Sequence, residues 1–208
     1  MNITEEEISR ASSLVEIEEL VSKCERCLLY QTKIKDVAGA GSKTAEIMFI
    51  GEAPGKKEDD TGEPFIGASG KLLNEMLQSI GLRREDTFIT SVLKHRPPSN
   101  RDPLSTEIQA CCPYLNRQIE LINPRLVVFL GRHAMNMYFP KLKISEVHGE
   151  AFQAKLGERK QDFLALYHPA AALYNGSMKS TLVADFNKIP AILAKIMDST
   201  SSPQESKI

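Results

Sequence analysis

No stretch of this 208-residue chain offers the roughly 20 consecutive apolar residues that a bilayer-spanning helix needs. Nor is there an excess of positive charge. The formal net charge is -1, from 26 Lys and Arg against 27 Asp and Glu, which excludes a protein that coats nucleic acid through bulk charge. An enzyme that grips a few phosphates around one nucleotide is still allowed. Internal repeats are absent. A phosphate loop is absent too: Gly67-Ala68-Ser69-Gly70-Lys71 looks like one, but Phe65 and Leu72 stand where the required Gly and Ser or Thr would be, which argues against nucleotide triphosphate use. The opening Met1-Asn2-Ile3-Thr4-Glu5-Glu6-Glu7 is acidic and polar, unlike a secretory leader. The sequence therefore predicts a cytoplasmic protein without membrane attachment, and the sequons at Asn2 and Asn175 are chance matches. In a reducing compartment its 4 cysteines point to metal binding or chemistry rather than to disulfides.

What is present is an alternation of buried strands and amphipathic helices. Hydrophobic residues make up 42% of the chain and charged residues 25%, ordinary values for a globular domain with a substantial core. Four short apolar runs, at 47–50, 88–93, 126–130 and 163–167, read as buried strands. Between them lie helical patterns. Thr4 followed by Glu7 forms a capping box, after which Ile8, Ala11, Val15, Ile17 and Leu20 continue an apolar face. A helix is predicted over 69–80, capped by Ser69 and stopped by Gly81, and another over 105–121 that Pro113 should kink or split. A last helix is predicted over 179–197. Strand alternating with helix implies parallel pairing through right-handed crossovers, hence a three-layer α/β/α domain around a four-stranded parallel sheet. The expected organisation is one domain over residues 1–197 and a disordered tail over 198–208.

The chemistry-bearing residues then gather at one edge of that sheet. Gly51-Glu52, Gly131-Arg132 and His168-Pro169 follow three of the strands directly, and Ser91 lies near the end of the fourth. Ligands in open α/β sheets collect outside the carboxyl ends of the strands. In Gly51-Glu52-Ala53-Pro54-Gly55 the glycines let backbone amides approach a ligand, while Glu52 offers a carboxylate. An ordinary turn with a solvated glutamate is the bland alternative. Cys24 and Cys27 have a spacing that lets both thiolates face one metal centre, whereas adjacent Cys111 and Cys112 cannot easily share one.

These motifs, together with Pro64-Phe65-Ile66-Gly67 and Tyr167-His168-Pro169-Ala170, resemble the family-four uracil-DNA glycosylases, the iron–sulfur branch of that superfamily, over about residues 22–190. The resemblance implies an enzyme that flips uracil, and other deaminated bases, out of DNA and hydrolyses the N-glycosidic bond. Glu52 and His168 would be catalytic. Gly51, Ala53, Gly55, Phe65 and Ser91 would bind the base. Independently of the resemblance, the local cluster Lys94-His95-Arg96, with Arg101 close by, is expected to bind DNA through Lys94, Arg96 and Arg101, a solvated loop being the alternative. The family pattern has a cysteine where this chain has His95, so the implied four-iron cluster would be held by Cys24, Cys27, His95 and Cys111, with a structural role. Zinc on the same set, or a lost cluster with the cysteines packed as small hydrophobes, are the alternatives. Ser91 stands where the family carries Asn, and a single hydroxyl cannot make the amide's bidentate contact with uracil. It supports an alternative, a weakly active or non-catalytic nucleic-acid-binding protein. A free-standing redox module would leave Glu52, Phe65 and His168 unexplained. A monomer is expected.

Overall fold

The structure, a computed structural model, describes residues 3–201. The capping box at Thr4 opens α1 (Glu5–Arg10), and α2 (Leu14–Ser22) delivers the chain to Cys24. There follow β1 (Ala40–Gly41), β2 (Ile47–Gly51), α3 (Lys56–Thr61), α4 (Ala68–Ser79), β3 (Phe88–Ser91), α5 (Ser105–Ile122) and β4 (Leu126–Leu130). The chain ends with α6 (Arg132–Tyr138), α7 (Ile144–Val147), β5 (Ala151–Leu156), β6 (Arg159–Leu166), α8 (Pro169–Leu173), α9 (Gly176–Phe186) and α10 (Ile189–Ser201).

The sheet has the order β1-β3-β2-β4-β6-β5. Its four central strands are parallel, as expected, but it carries six strands rather than four because β1 and β5 add antiparallel edges to β3 and β6. Neither edge strand has the continuous apolar run of a central strand. β1 is two residues long, and β5 alternates exposed with half-buried positions, as an edge strand with one wet face does.

Strand alternation builds the two cores. Met48 and Ile50 of β2 join Val127 and Phe129 of β4 against α1, α2 and α5, with Ile8, Ile17, Val21, Tyr114 and Ile119. Ile47 and Phe49, with Leu126, Val128 and Leu130, face the other layer: Leu72, Leu73 and Leu77 of α4, then Leu182 and Phe186 of α9. Full burial of every residue in β2 and β4 explains why the sequence shows unbroken apolar runs there.

Four helix expectations change. The N-terminal helix expected to continue from Thr4 past Leu20 is two, because the chain turns at Ala11 and Ser13 caps α2 anew through the Glu16 amide. α4 begins at Ala68 with Gly67 as its N-cap, so Ser69 does not cap it; Glu58 accepts the Gly67 amide instead. α5 runs unbroken through Pro113, because Cys111, Tyr114, Leu115 and Ile119 on both sides of the proline bury one common face. The expected single C-terminal helix is two, divided ahead of Pro190, whose missing N–H is harmless in the first turn of α10. That helix continues to Ser201, past the expected start of the tail; residues 202–208 lie outside the described residues. Among the described residues, no helix is long and apolar enough to cross a membrane.

Candidate active site

The chain leaves β2 to form β3 on one side and returns to form β4 on the other, so the carboxyl end of β2 is the topological switch point of the sheet. Gly51 at that end pairs with Ser91 of β3, and pairing continues past the strands: Val92 N donates to Gly51 O at 2.9 Å and Leu93 N to Glu52 O at 3.1 Å. The backbone carrying Glu52 is thereby fixed. A cavity of about 330 Å³ opens here, lined among others by Glu52, Ala53, Gly55, Phe65, Ser91, Arg101 and His168. That size suits a nucleobase and part of its sugar.

Phe65 has φ of 52°, a left-handed conformation rare for an aromatic residue. Its surroundings over-determine it. Glu58 Oε1 accepts the amides of Ile66 and Gly67 at 3.0 and 2.9 Å, and Arg84 donates to the carbonyls of Pro64 and Phe65. Gly70 permits the loop to sit on α4, since a Cβ there would lie 1.7 Å from Phe65 O. Gly51 is needed for the same packing: a Cβ would come within 2.5 Å of the Phe65 ring. Glu58, Ser69 and Asn100 also line the cavity, and sequence reasoning missed all three.

The His168 ring lies 5.6 Å from that of Phe65. Its Nδ1 accepts the Ala170 amide at 3.1 Å, which leaves Nε2 to carry the proton of the neutral ring. Burial first, then His133, lowers its pKa to about 4, so the neutral form is the one present at physiological pH. Burial raises the pKa of Glu52; Asp102 adds to the rise, while His133 and Arg132 oppose it. His133 Nε2 stands 3.8 Å from Glu52 and 3.6 Å from Asp102. Neither neighbour was singled out from sequence, although His133 follows Gly131-Arg132 at the end of β4, where the strand-end rule points.

Ser91 is buried and lines the cavity. Lys94 does not reach DNA, which corrects the expectation for it. Its side chain is 1% exposed, and Nζ donates to Thr90 Oγ1, Ser91 O and Gln118 Oε1 at 2.7, 2.8 and 2.7 Å. Burial lowers its pKa to about 7. A lysine so enclosed is an internal brace under the end of β3. Arg96 donates to Asn100 at 2.7 Å, and Arg101 forks onto Glu107 at 2.6 and 2.9 Å while still lining the cavity.

Cys24, Cys27, His95 and Cys111 line a second, smaller pocket beneath the loop that carries Arg96. Cys112 turns away and accepts from Asn116 Nδ2 at 3.5 Å. Burial pushes the Cys111 thiol up to about 12, partly offset by Lys94, and raises those of Cys27 and Cys112. Three free thiols packed together favour thiolates only if a cation supplies the charge. Tyr114 Oη, in the same pocket, is buried without a hydrogen-bond partner among the described residues. Among the described residues, Glu52, Asp102 and His133 are the metal-competent group whose ligand atoms lie within 4.8 Å of one another. Three cysteines and a histidine around one small pocket are a donor set that suits a soft metal centre. His95 Nε2 meets Lys33 Nζ at 3.3 Å, a contact the ring would exchange for a metal.

The uracil DNA glycosylase superfamily model matches residues 38–189. The chain belongs to this superfamily. A Type-4 uracil-DNA glycosylase of Sulfurisphaera tokodaii is 48% identical over 183 residues, 85% of this chain and 83% of that protein. One of Archaeoglobus fulgidus is 47% identical over 188 residues, 88% and 94% of the two chains. A third, of Thermotoga maritima, is 38% identical over 183 residues, covering 86% and 94%.

Proposed function

We propose that this glycosylase-superfamily chain removes uracil from DNA, as the names of its Type-4 relatives state for them. The observation that carries the mechanism is the His168–Ala170 hydrogen bond, which fixes the tautomer. Uracil leaves as an anion while its sugar becomes oxocarbenium-like, so the site needs a donor at the base and negative charge near the sugar. Neutral His168 presents Nε2–H to a base carbonyl without a competing net charge. Glu52 serves the sugar side, either facing the cation or holding the attacking water. The flipped base stacks on Phe65, whose left-handed backbone is already locked, and Gly51, Ala53 and Gly55 let the loop backbone close on it.

The cluster belongs to the same proposal. A four-iron cluster on Cys24, Cys27, Cys111 and His95 would supply a structural tie between α2 and the loop bearing Arg96 and Arg101. Arg96 and Arg101 then reach DNA phosphates. The chain acts as a single-domain monomer in the cytoplasm, where its four free cysteines fit a reducing compartment. The non-catalytic alternative is not favoured, since Glu52, Phe65 and His168 line one cavity. Incubation with a uracil-containing oligonucleotide followed by alkali tests the activity. Strand cleavage at the uracil position is the expected result, and an intact strand at high enzyme excess would refute it.

A further inference from the structure

His133 has no part in the reading above, yet it stands beside Glu52, between two carboxylates. The first residues of α6 place it there, at the carboxyl end of β4. Glu52, 28% exposed, lies on its inner side and Asp102, 71% exposed, on its outer side. Arg132 Nε donates to His133 Nε2 at 3.0 Å. The ring therefore has two arrangements. When neutral, Nε2 is an acceptor for Arg132 and offers Glu52 no hydrogen. When protonated, Nε2–H turns to the carboxylates and the Arg132 contact must open.

We propose that His133 is a positioning residue for Glu52: with the Arg132 contact open, its Nε2–H directs the Glu52 carboxylate at the sugar, with Asp102 competing for the same hydrogen. The inference rests on the reading of Glu52 as the carboxylate of the reaction. The charged groups facing His133 are Glu52 from the end of β2, Asp102 from the segment before α5, Arg132 from its own helix and His168 from the end of β6. Burial penalises the charged form of Glu52, and the positive neighbour offsets part of that penalty while Asp102 adds to it.

Opposite shifts follow from removing each partner. Single-turnover base release from a uracil oligonucleotide is measured against pH for wild type, His133→Ala, His133→Gln, Asp102→Asn and Glu52→Gln. The acid limb moves to higher pH in both His133 variants, because Glu52 loses a cation, and to lower pH in Asp102→Asn, because it loses an anion. A fold defect would not give shifts of opposite sign. Acid limbs that stay in place, or that move together, would overturn the inference provided Glu52→Gln is slow and lacks the limb. A Glu52→Gln variant as fast as wild type would instead overturn the role of Glu52 itself.

Discussion

His168 Nδ1 accepts the backbone amide of Ala170 at 3.1 Å, so the ring that faces Phe65 has its second nitrogen committed as a donor. Separate kinetic signatures follow for the two rings. His168→Ala removes a donor that matters most as charge develops, so the base-release step should slow by about 100- to 1,000-fold with little change in affinity. Phe65→Ala removes ground-state stacking, worth roughly 1–3 kcal/mol per base, so affinity should fall more than the single-turnover rate. Near-normal turnover in His168→Ala removes it from the catalytic set.

The same ring makes stability depend on pH. The folded pKa of His168 is about 4 against 6.5 for an unperturbed histidine. Between those values the unfolded chain takes up a proton that the folded chain refuses, so stability falls as pH falls through this window and is unaffected above it. His168→Gln removes that dependence. Urea midpoints of wild type and variant should converge as pH drops from 6.5 toward 4, relative to their separation above it. Parallel curves would show that the ring takes its proton at the ordinary pH.

Lys94 and Arg101 separate by their responses. Lys94→Ala leaves Thr90, Gln118 and the Ser91 carbonyl without their common donor, a loss of about 3 kcal/mol in stability with no change in the salt slope of DNA binding. Arg101→Ala should lower the slope of log affinity against log salt by about one, the signature of a lost phosphate contact. An unchanged slope for Arg101→Ala would confine that residue to holding Glu107.

The parallel core and the convergence of Glu52, Ser91 and His168 were legible in the sequence because fully buried strands write themselves as unbroken apolar runs and their carboxyl ends are marked by Gly and Pro. The edge strands were not, since β5 alternates polar with apolar residues and β1 is too short to leave a pattern. Lys94 misled for a physical reason. Beside His95 and Arg96 it looked like a basic cluster, but period-two alternation past β3 turns its side chain inward toward Gln118. Asp102 and His133 went unseen because their contacts join segments far apart in sequence.

Cys111 and Cys112 test the cluster reading through metal content. Cys111 lines the pocket with Cys24 and Cys27, while Cys112 faces Asn116. Anaerobically purified protein should be brown, with about four iron atoms per chain. Cys111→Ala should lose that iron and destabilise the chain, Cys112→Ala should retain it, and His95→Ala should lose it more readily than Cys112→Ala. Colourless protein without iron refutes the cluster, bound zinc reassigns the centre, and iron lost only from Cys112→Ala reverses the choice between the adjacent cysteines.

Ser91 sets the specificity prediction. It is buried at the end of β3, opposite Gly51, and its hydroxyl lies 3.4 Å from where a Gly51 Cβ would be. An amide at this position would offer uracil both a donor and an acceptor, and a bidentate pair is worth roughly 1–3 kcal/mol of discrimination. Ser91→Asn should therefore raise uracil excision about tenfold. Ser91 lines the cavity of about 330 Å³, so the longer side chain has that space to extend into. Excision of uracil, hypoxanthine and xanthine by both proteins supplies the measurement. A gain for uracil with a loss for the other bases means that Ser91 broadens the pocket. A fall in uracil excision means that the serine is itself fitted to this cavity, with Lys94 on its carbonyl holding the hydroxyl where the base requires it.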